Sequence, residues 1–182
     1  MKDKFTTKAF AEGYLARSVY KLKDMQGKFR LMKRGDDVLD IGAAPGSWTQ
    51  YAVEIGANVD AIDMNKFKVR DAKIIVADIM SDSIYENLKK SYDVVISDAA
   101  PQTTGILDND TYNSFMLSSR SLEIVKKVLK KDGKFVCKIF QGSYYSDFWK
   151  EMNSVCRHVK TFKPVASRKK SKETYLIGLN KL

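Results

Sequence analysis

The chain is poor in the residues that build metal and redox centres: 182 residues include two cysteines and one histidine. Cys137 and Cys156 have neither zinc-site nor redox-motif spacing, and Cys137 lies in an apolar strand pattern, so a buried thiol in a reducing, cytoplasmic compartment is expected. His158 has no ligand-type partner nearby in sequence and reads as structural or surface. No metal is expected. No apolar run approaches the roughly 20 residues needed to cross a bilayer, and Met1-Lys2-Asp3-Lys4 leads into no signal-peptide core. Internal repeats and linker-like stretches are also missing. One domain spanning 1–182 is therefore expected, large enough for a substantial core.

Positive charge is what the chain has in excess, with a net of +10. It is concentrated at the ends. Residues 1–36 hold ten Lys/Arg against four Asp/Glu, and residues 150–182 hold nine against two. The middle, 37–149, holds thirteen against sixteen. Basic ends around a mildly acidic centre suggest a polyanion laid beside a pocket, with nucleic acid favoured over an anionic membrane surface. A merely soluble basic surface is the competing explanation.

Residues 1–36 read as a basic helical extension with interleaved aromatics, including a helix over 15–25 whose Leu15, Val19, Leu22 and Met25 keep helical spacing. From Asp37 the pattern alternates. Strands are expected at 37–41, 58–63, 73–77, 92–97, 134–140, 159–163 and 174–179, with helices near 46–55, 82–90, 111–130 and 144–155. Lys131-Asp132-Gly133 is expected to end the longest helix. Alternating units imply an α/β fold: a mostly parallel seven-stranded sheet with helices on both faces. Only Pro164 to Glu173 separate the last two strands, too few for a helical crossover, so the last strand should be antiparallel.

The stretch Val38 to Trp48 (VLDIGAAPGSW) joins an apolar strand to a helix through a turn with two glycines. Such a turn holds nucleotide-type ligands at the carboxyl end of a first strand. Gly42 frees the backbone to turn and leaves room for a ligand, and Pro45 suits a first helical turn. The dinucleotide fingerprint G-x-G-x-x-G is not met, which argues against a nicotinamide-dependent oxidoreductase; an ordinary strand-to-helix turn is the plainer alternative. Further acids fall at strand ends: Asp40, Asp63, Asp78 and Asp98, with Glu173 opening the last strand. Asp63 lies 21 positions beyond Gly42, near the spacing at which an acid accepts from a ribose diol. Lys138 is set among Val136, Cys137, Ile139 and Phe140. Either it lies on an exposed strand face, or it is a desolvated amine of lowered pKa, suited to general-base work and oriented by Asp98.

At these residues the chain resembles the RrmJ/FtsJ-like ribose 2′-O-methyltransferases of RNA. The likeness runs through Gly13-Tyr14, Arg17 to Leu22, Asp40 to Gly46 with Trp48, Ser97-Asp98 with Pro101, Lys138 to Gly142, and Lys163-Pro164 to Tyr175. It departs at Ser47, where the bacterial pattern has glycine, and at Ala99 and Gln102, which replace Met and Asn. The resemblance implies a Rossmann-like methyltransferase fold binding S-adenosylmethionine. Gly46 and Trp48 would line the cofactor site, Asp63 would hold the ribose hydroxyls, Asp78 would face the adenine, and Asp98 would lie near the methionine end. The family's catalytic set falls on Lys21, Asp98, Lys138 and Glu173.

In the reaction so implied, Lys138 removes the 2′-hydroxyl proton or stabilises the developing alkoxide. Lys21 lowers the neighbouring amine's proton affinity and polarises the oxygen, while Asp98 and Glu173 orient the two lysines and act on that affinity in the opposite direction. One chain suffices. Lys4, Lys8, Arg17 and Lys23 from one end, with Arg168, Lys169, Lys170 and Lys172 from the other, would form a basic cradle on phosphates. Tyr14, Phe5 or Phe10 could stack an unpaired base. The substrate implied is a uridine in the peptidyl-transferase region of large-subunit ribosomal RNA, free or in the assembled subunit. Transfer RNA and a non-catalytic RNA-binding role are the alternatives.

Overall fold

Alternation along the central strands decides what each face of the sheet carries. In the computed structural model, which describes residues 3–88, 91–168 and 171–182, β1 (Asp37–Ile41), β2 (Asn58–Asp63), β3 (Ala72–Val76), β4 (Tyr92–Ser97), β5 (Leu129–Phe140), β6 (Cys156–Phe162) and β7 (Glu173–Lys181) form one sheet. Its order is β3-β2-β1-β4-β5-β7-β6. β1 to β5 are parallel, and β7 runs antiparallel to both neighbours, as the short final connection requires. Leu39, Ile41, Val95, Phe135, Cys137, Ile139 and Leu176 point to one face and pack with α4 (Leu107–Val128) and α5 (Tyr145–Val155). Val38, Val94, Ile96, Val136, Tyr175 and Ile177 point to the other, under α2 (Val19–Phe29) and α3 (Ser47–Ile55).

A third, smaller cluster joins α1 (Lys4–Ala11) to the carboxyl-terminal loop. Ala9, Tyr14, Val19 and Tyr20 enclose Ala166. Val165 N donates to Asp24 Oδ2 at 2.9 Å and Arg17 Nη2 donates to the Ala166 carbonyl at 3.2 Å, so the two basic ends of the chain meet.

Several boundaries differ from the sequence reading for local reasons. The helix expected over 15–25 runs from Val19 to Phe29, because Gly13 takes φ +82° and breaks the extension into two helices; Leu15 is exposed. Pro45 is not in a first helical turn. It follows a cis peptide, and Gly46, at φ +112°, precedes a helix that starts at Ser47. The helix expected at 82–90 is a short 3-10 turn, Asp82–Glu86, with Lys89 and Lys90 outside the described residues. Finally, α4 ends at Val128. Lys131 to Gly133 lie inside β5, where Asp132 adopts φ +61° and the pairing with β4 slips between Tyr92 and Val94.

Candidate functional site

Strand order reverses between β1 and β4, the position where open α/β sheets receive ligands. A cavity of about 640 Å³ opens there beyond the carboxyl ends of the strands. Gly42, Asp63, Asp78 and Asp98 are on its wall, with Met64 and Met80 among its apolar lining. Asp63 braces this wall. Its Oδ2 accepts from Ala44 N at 3.0 Å, and its Oδ1 from the Asn65 backbone at 2.8 Å. Asp78 Oδ1 accepts from Met80 N at 2.9 Å.

The two glycines of the turn serve packing as well as bending. A Cβ on Gly42, at φ +72°, would lie 2.6 Å from the Ala99 Cα, so the loop after β4 closes onto the turn. A Cβ on Gly46 would lie 2.6 Å from Val69 Cγ2, and Gly46 lines neither the cavity nor the notch beside it. That notch, about 10 Å³, is bounded by Ser18, Asp40, Gly42, Ser47, Trp48 and Asp98. Trp48 is fixed by donating from Nε1 to the Ser18 carbonyl at 2.8 Å.

Asp40 is fully buried on this notch. Its Oδ2 accepts from Thr49 Oγ1 at 2.7 Å, and its Oδ1 has no partner. Burial raises its pKa to about 7, against the Thr49 hydrogen bond and with help from the nearby charges of Asp98 and Asp63. An unpartnered carboxylate oxygen beside a cavity with acidic walls is suited to a cationic group. The residues present therefore fit S-adenosylmethionine, whose ammonium, sulfonium and ribose diol all seek acceptors.

Deeper in the site, strand parity gathers the polar set onto the face under α2. Asp98 continues the Val94-Ile96 side of β4, Lys138 the Val136 side of β5, and Glu173 the Tyr175-Ile177 side of β7. Lys138, 6% exposed, excludes the reading of an outward-facing strand lysine. Its Nζ donates to Asp98 Oδ1 at 3.1 Å and to the Asp98 carbonyl at 2.5 Å. Lys21, 7% exposed, reaches in from α2 and pairs with Glu173 Oε1 at 2.6 Å.

Tyr175 links the two pairs, a role the sequence reading did not assign. Its hydroxyl donates to Asp98 Oδ1 at 2.7 Å, and Lys21 Nζ lies 5.8 Å from its ring centroid. The pairing of Tyr175 with Lys138 across β5 and β7 was the available signal, but it needs the strand register. Burial, with the carboxylates of Asp98 and Glu173, pushes the Tyr175 phenol well above its usual pKa and keeps it a donor. For Asp98, burial pulls upward, but Lys138, Lys21 and the Tyr175 hydroxyl prevail and hold the carboxyl below its usual range.

The aromatics expected to stack a base are placed differently. Tyr14 is buried with its hydroxyl on Glu54, Phe5 packs on Tyr20 at 5.6 Å, and Phe10 is half exposed. Among the basic residues, Arg17 pairs with Asp3, and Lys8 and Lys23 both approach Glu12 at 3.7 Å. Lys4, Arg168 and Lys172 are exposed; Lys169 and Lys170 lie outside the described residues. The two cysteines are buried, His158 is exposed, and no helix among the described residues is long and apolar enough to cross a membrane.

Comparison with known proteins agrees with this fold. The chain is 41% identical over 181 residues to ribosomal RNA large subunit methyltransferase E of Archaeoglobus fulgidus, covering 97% of this chain and 95% of the relative. It is 38% identical over 183 residues to the protein of that name from Wolbachia pipientis, covering 98% and 95%. A crystal structure titled as a putative ribosomal RNA methyltransferase from Plasmodium falciparum superposes with a TM-score of 0.83 at 27% identity, over 93% of this chain and 99% of that one. The family match makes S-adenosylmethionine the cofactor, and two more distant structures of the same fold were themselves solved with S-adenosylhomocysteine. With residues 14–181 matching the family pattern, the chain is a member of the FtsJ-like methyltransferase family.

Proposed function

We propose that the protein transfers a methyl group from S-adenosylmethionine to a ribose 2′-hydroxyl of large-subunit ribosomal RNA, at a uridine of the peptidyl-transferase region. The observation that carries this reading is a buried lysine, Lys138, held by Asp98 on the rim of the cofactor cavity, with a second buried lysine brought across by α2. The names of the curated relatives supply the ribosomal RNA, and the basic ends that meet at the Arg17–Ala166 contact suit a polyanion.

S-adenosylmethionine supplies a methyl group already activated by positively charged sulfur. What remains for the protein is placement and proton removal. Gly42 would line the cofactor site and Trp48 the notch beside it, while Asp63 would accept from the ribose hydroxyls and Asp78 from the adenine. With its amine neutral, Lys138 would receive the 2′-hydroxyl proton; as the ammonium paired with Asp98 it would instead offset the charge left on oxygen. Asp98 fixes it, and Tyr175 fixes Asp98. Lys21 adds positive charge beside the reacting oxygen, oriented by Glu173.

Methyl transfer to ribosomal RNA by the wild type, Lys138→Ala and Lys138→Arg tests the proposal, with melting temperatures recorded because each variant disturbs Asp98. Arginine keeps the charge but cannot act as a base. Loss of activity in both folded variants supports proton transfer, and activity retained by arginine alone supports charge stabilisation. Unimpaired turnover of Lys138→Ala would sink both. Mapping ribose methylation in total RNA from cells with and without the protein tests the nucleotide.

A further inference from the structure

The first turns of α4 carry an exposed aromatic surface that the reaction as described leaves unused. Tyr112 is 45% exposed, and its ring meets Tyr144 edge to face with centroids 5.3 Å apart. Tyr144 in turn stacks on Phe115 at 5.4 Å and 23°, and Phe115 packs against the core. The outer ring is thus held by two inner ones. Met116, one turn further along the same face of α4, is also exposed. Exposed apolar side chains side by side on one helix face mark a contact site.

Its position is set by the same framework that holds Lys138. Thr111 abuts the loop after β5, so that a Cβ on Gly142 would lie 2.6 Å from Thr111 Cγ2. Phe140 N donates to Ser114 Oγ at 3.0 Å, and Ser118 Oγ donates to the Lys138 carbonyl at 2.9 Å. On the other side, Asp110 clamps Thr104 and Gly105, and Leu117 reaches the cofactor cavity. The Lys172 carbonyl accepts from Gln141 N at 2.8 Å, which ties the loop before β7 to the same cluster. A half-exposed aromatic ring held in place by its neighbours matches the face of an unpaired nucleobase.

We propose that Tyr112, seated on Tyr144 and Phe115, is a stacking platform for an unpaired base flanking the nucleotide presented to Lys138. The inference rests on the RNA reading above and makes the substrate single-stranded at that position. It is tested with an RNA substrate, a set of the same RNA carrying one abasic site at successive flanking positions, and anisotropy of a labelled single-stranded oligonucleotide. Tyr112→Ala should weaken oligonucleotide binding and raise KM for RNA on the order of tenfold, with S-adenosylmethionine affinity and melting temperature held and Tyr112→Phe restoring the loss. One abasic position should cost the wild type the same factor and cost Tyr112→Ala nothing more. Wild-type affinity in Tyr112→Ala, or losses that add at every abasic position, would overturn the platform. Binding that depends on Tyr112 without methyl transfer to any RNA would uphold the platform and defeat the catalytic reading alone.

Discussion

Asp40 offers the sharpest test of the electrostatics, because its carboxyl is buried with one oxygen unpartnered. The fold raises its pKa from 3.8 to about 7. A tenfold change in proton affinity is worth about 1.36 kcal/mol, so the charged form costs the free protein on the order of 4 kcal/mol. The sign follows from linkage: the unfolded chain releases this proton near pH 4 and the folded chain only near pH 7. Stability contributed by this residue therefore falls as pH rises through that window and is level above it. Asparagine resembles the protonated form and removes the cost. Asp40→Asn should thus change stability by less than about 1 kcal/mol at pH 4 and add about 2–4 kcal/mol at pH 8. For a chain of this length that is a rise in Tm of roughly 5–10 °C at pH 8. Thermal melts of both proteins across pH 4–8 read the difference, and all other titrating groups cancel between them. S-adenosylmethionine should raise the wild-type Tm more than the variant's, since a cationic group of the cofactor would be held by the Asp40 carboxylate and not by asparagine. A pH-independent offset, or a variant that is less stable throughout, would refute the account.

Four further outcomes follow from single contacts. Tyr175→Phe removes one hydrogen bond to a charged carboxylate, at about 1.5–3 kcal/mol, and should lower kcat at least tenfold while S-adenosylmethionine binding, read by calorimetry, is unchanged. Lys21→Met and Glu173→Gln, joined at 2.6 Å, should be strongly non-additive, and a double-mutant cycle in kcat/KM that closes to zero would show them to be independent. Gly42→Ala combines positive φ with a Cβ 2.6 Å from the Ala99 backbone. It should cost about 2 kcal/mol or more in denaturant melts and weaken S-adenosylmethionine binding. Burial pushes the Cys137 thiol up to about 12, so iodoacetamide should label it at pH 8 only after unfolding; rapid labelling of the native protein would contradict its burial.

Much of this site was legible before the structure, and the reason is local geometry. A strand alternates with period two, so Val94-Ile96-Asp98, Val136-Lys138 and Glu173-Tyr175-Ile177 each declare one face from their own pattern. Parallel strands also place their terminal acids at one end, which is why Asp63, Asp78 and Asp98 come together around one cavity. What sequence alone did not yield is proximity between segments far apart in the chain. The approach of Lys21 to Glu173 depends on how α2 packs, and the Tyr175–Asp98 bond depends on the register of β7. The aromatics show the same division: Tyr14 is buried in the cluster that encloses Ala166, while Tyr112 stays half exposed on the first turns of α4. Even the glycine turn divides this way. Its residues specify a bend after β1, but only the folded chain shows that Ala99 fills the space beside Gly42 and that Asp40 is bonded through one oxygen alone. Backbone periodicity is fixed residue by residue, whereas the match between one surface and another exists only once the whole chain has packed.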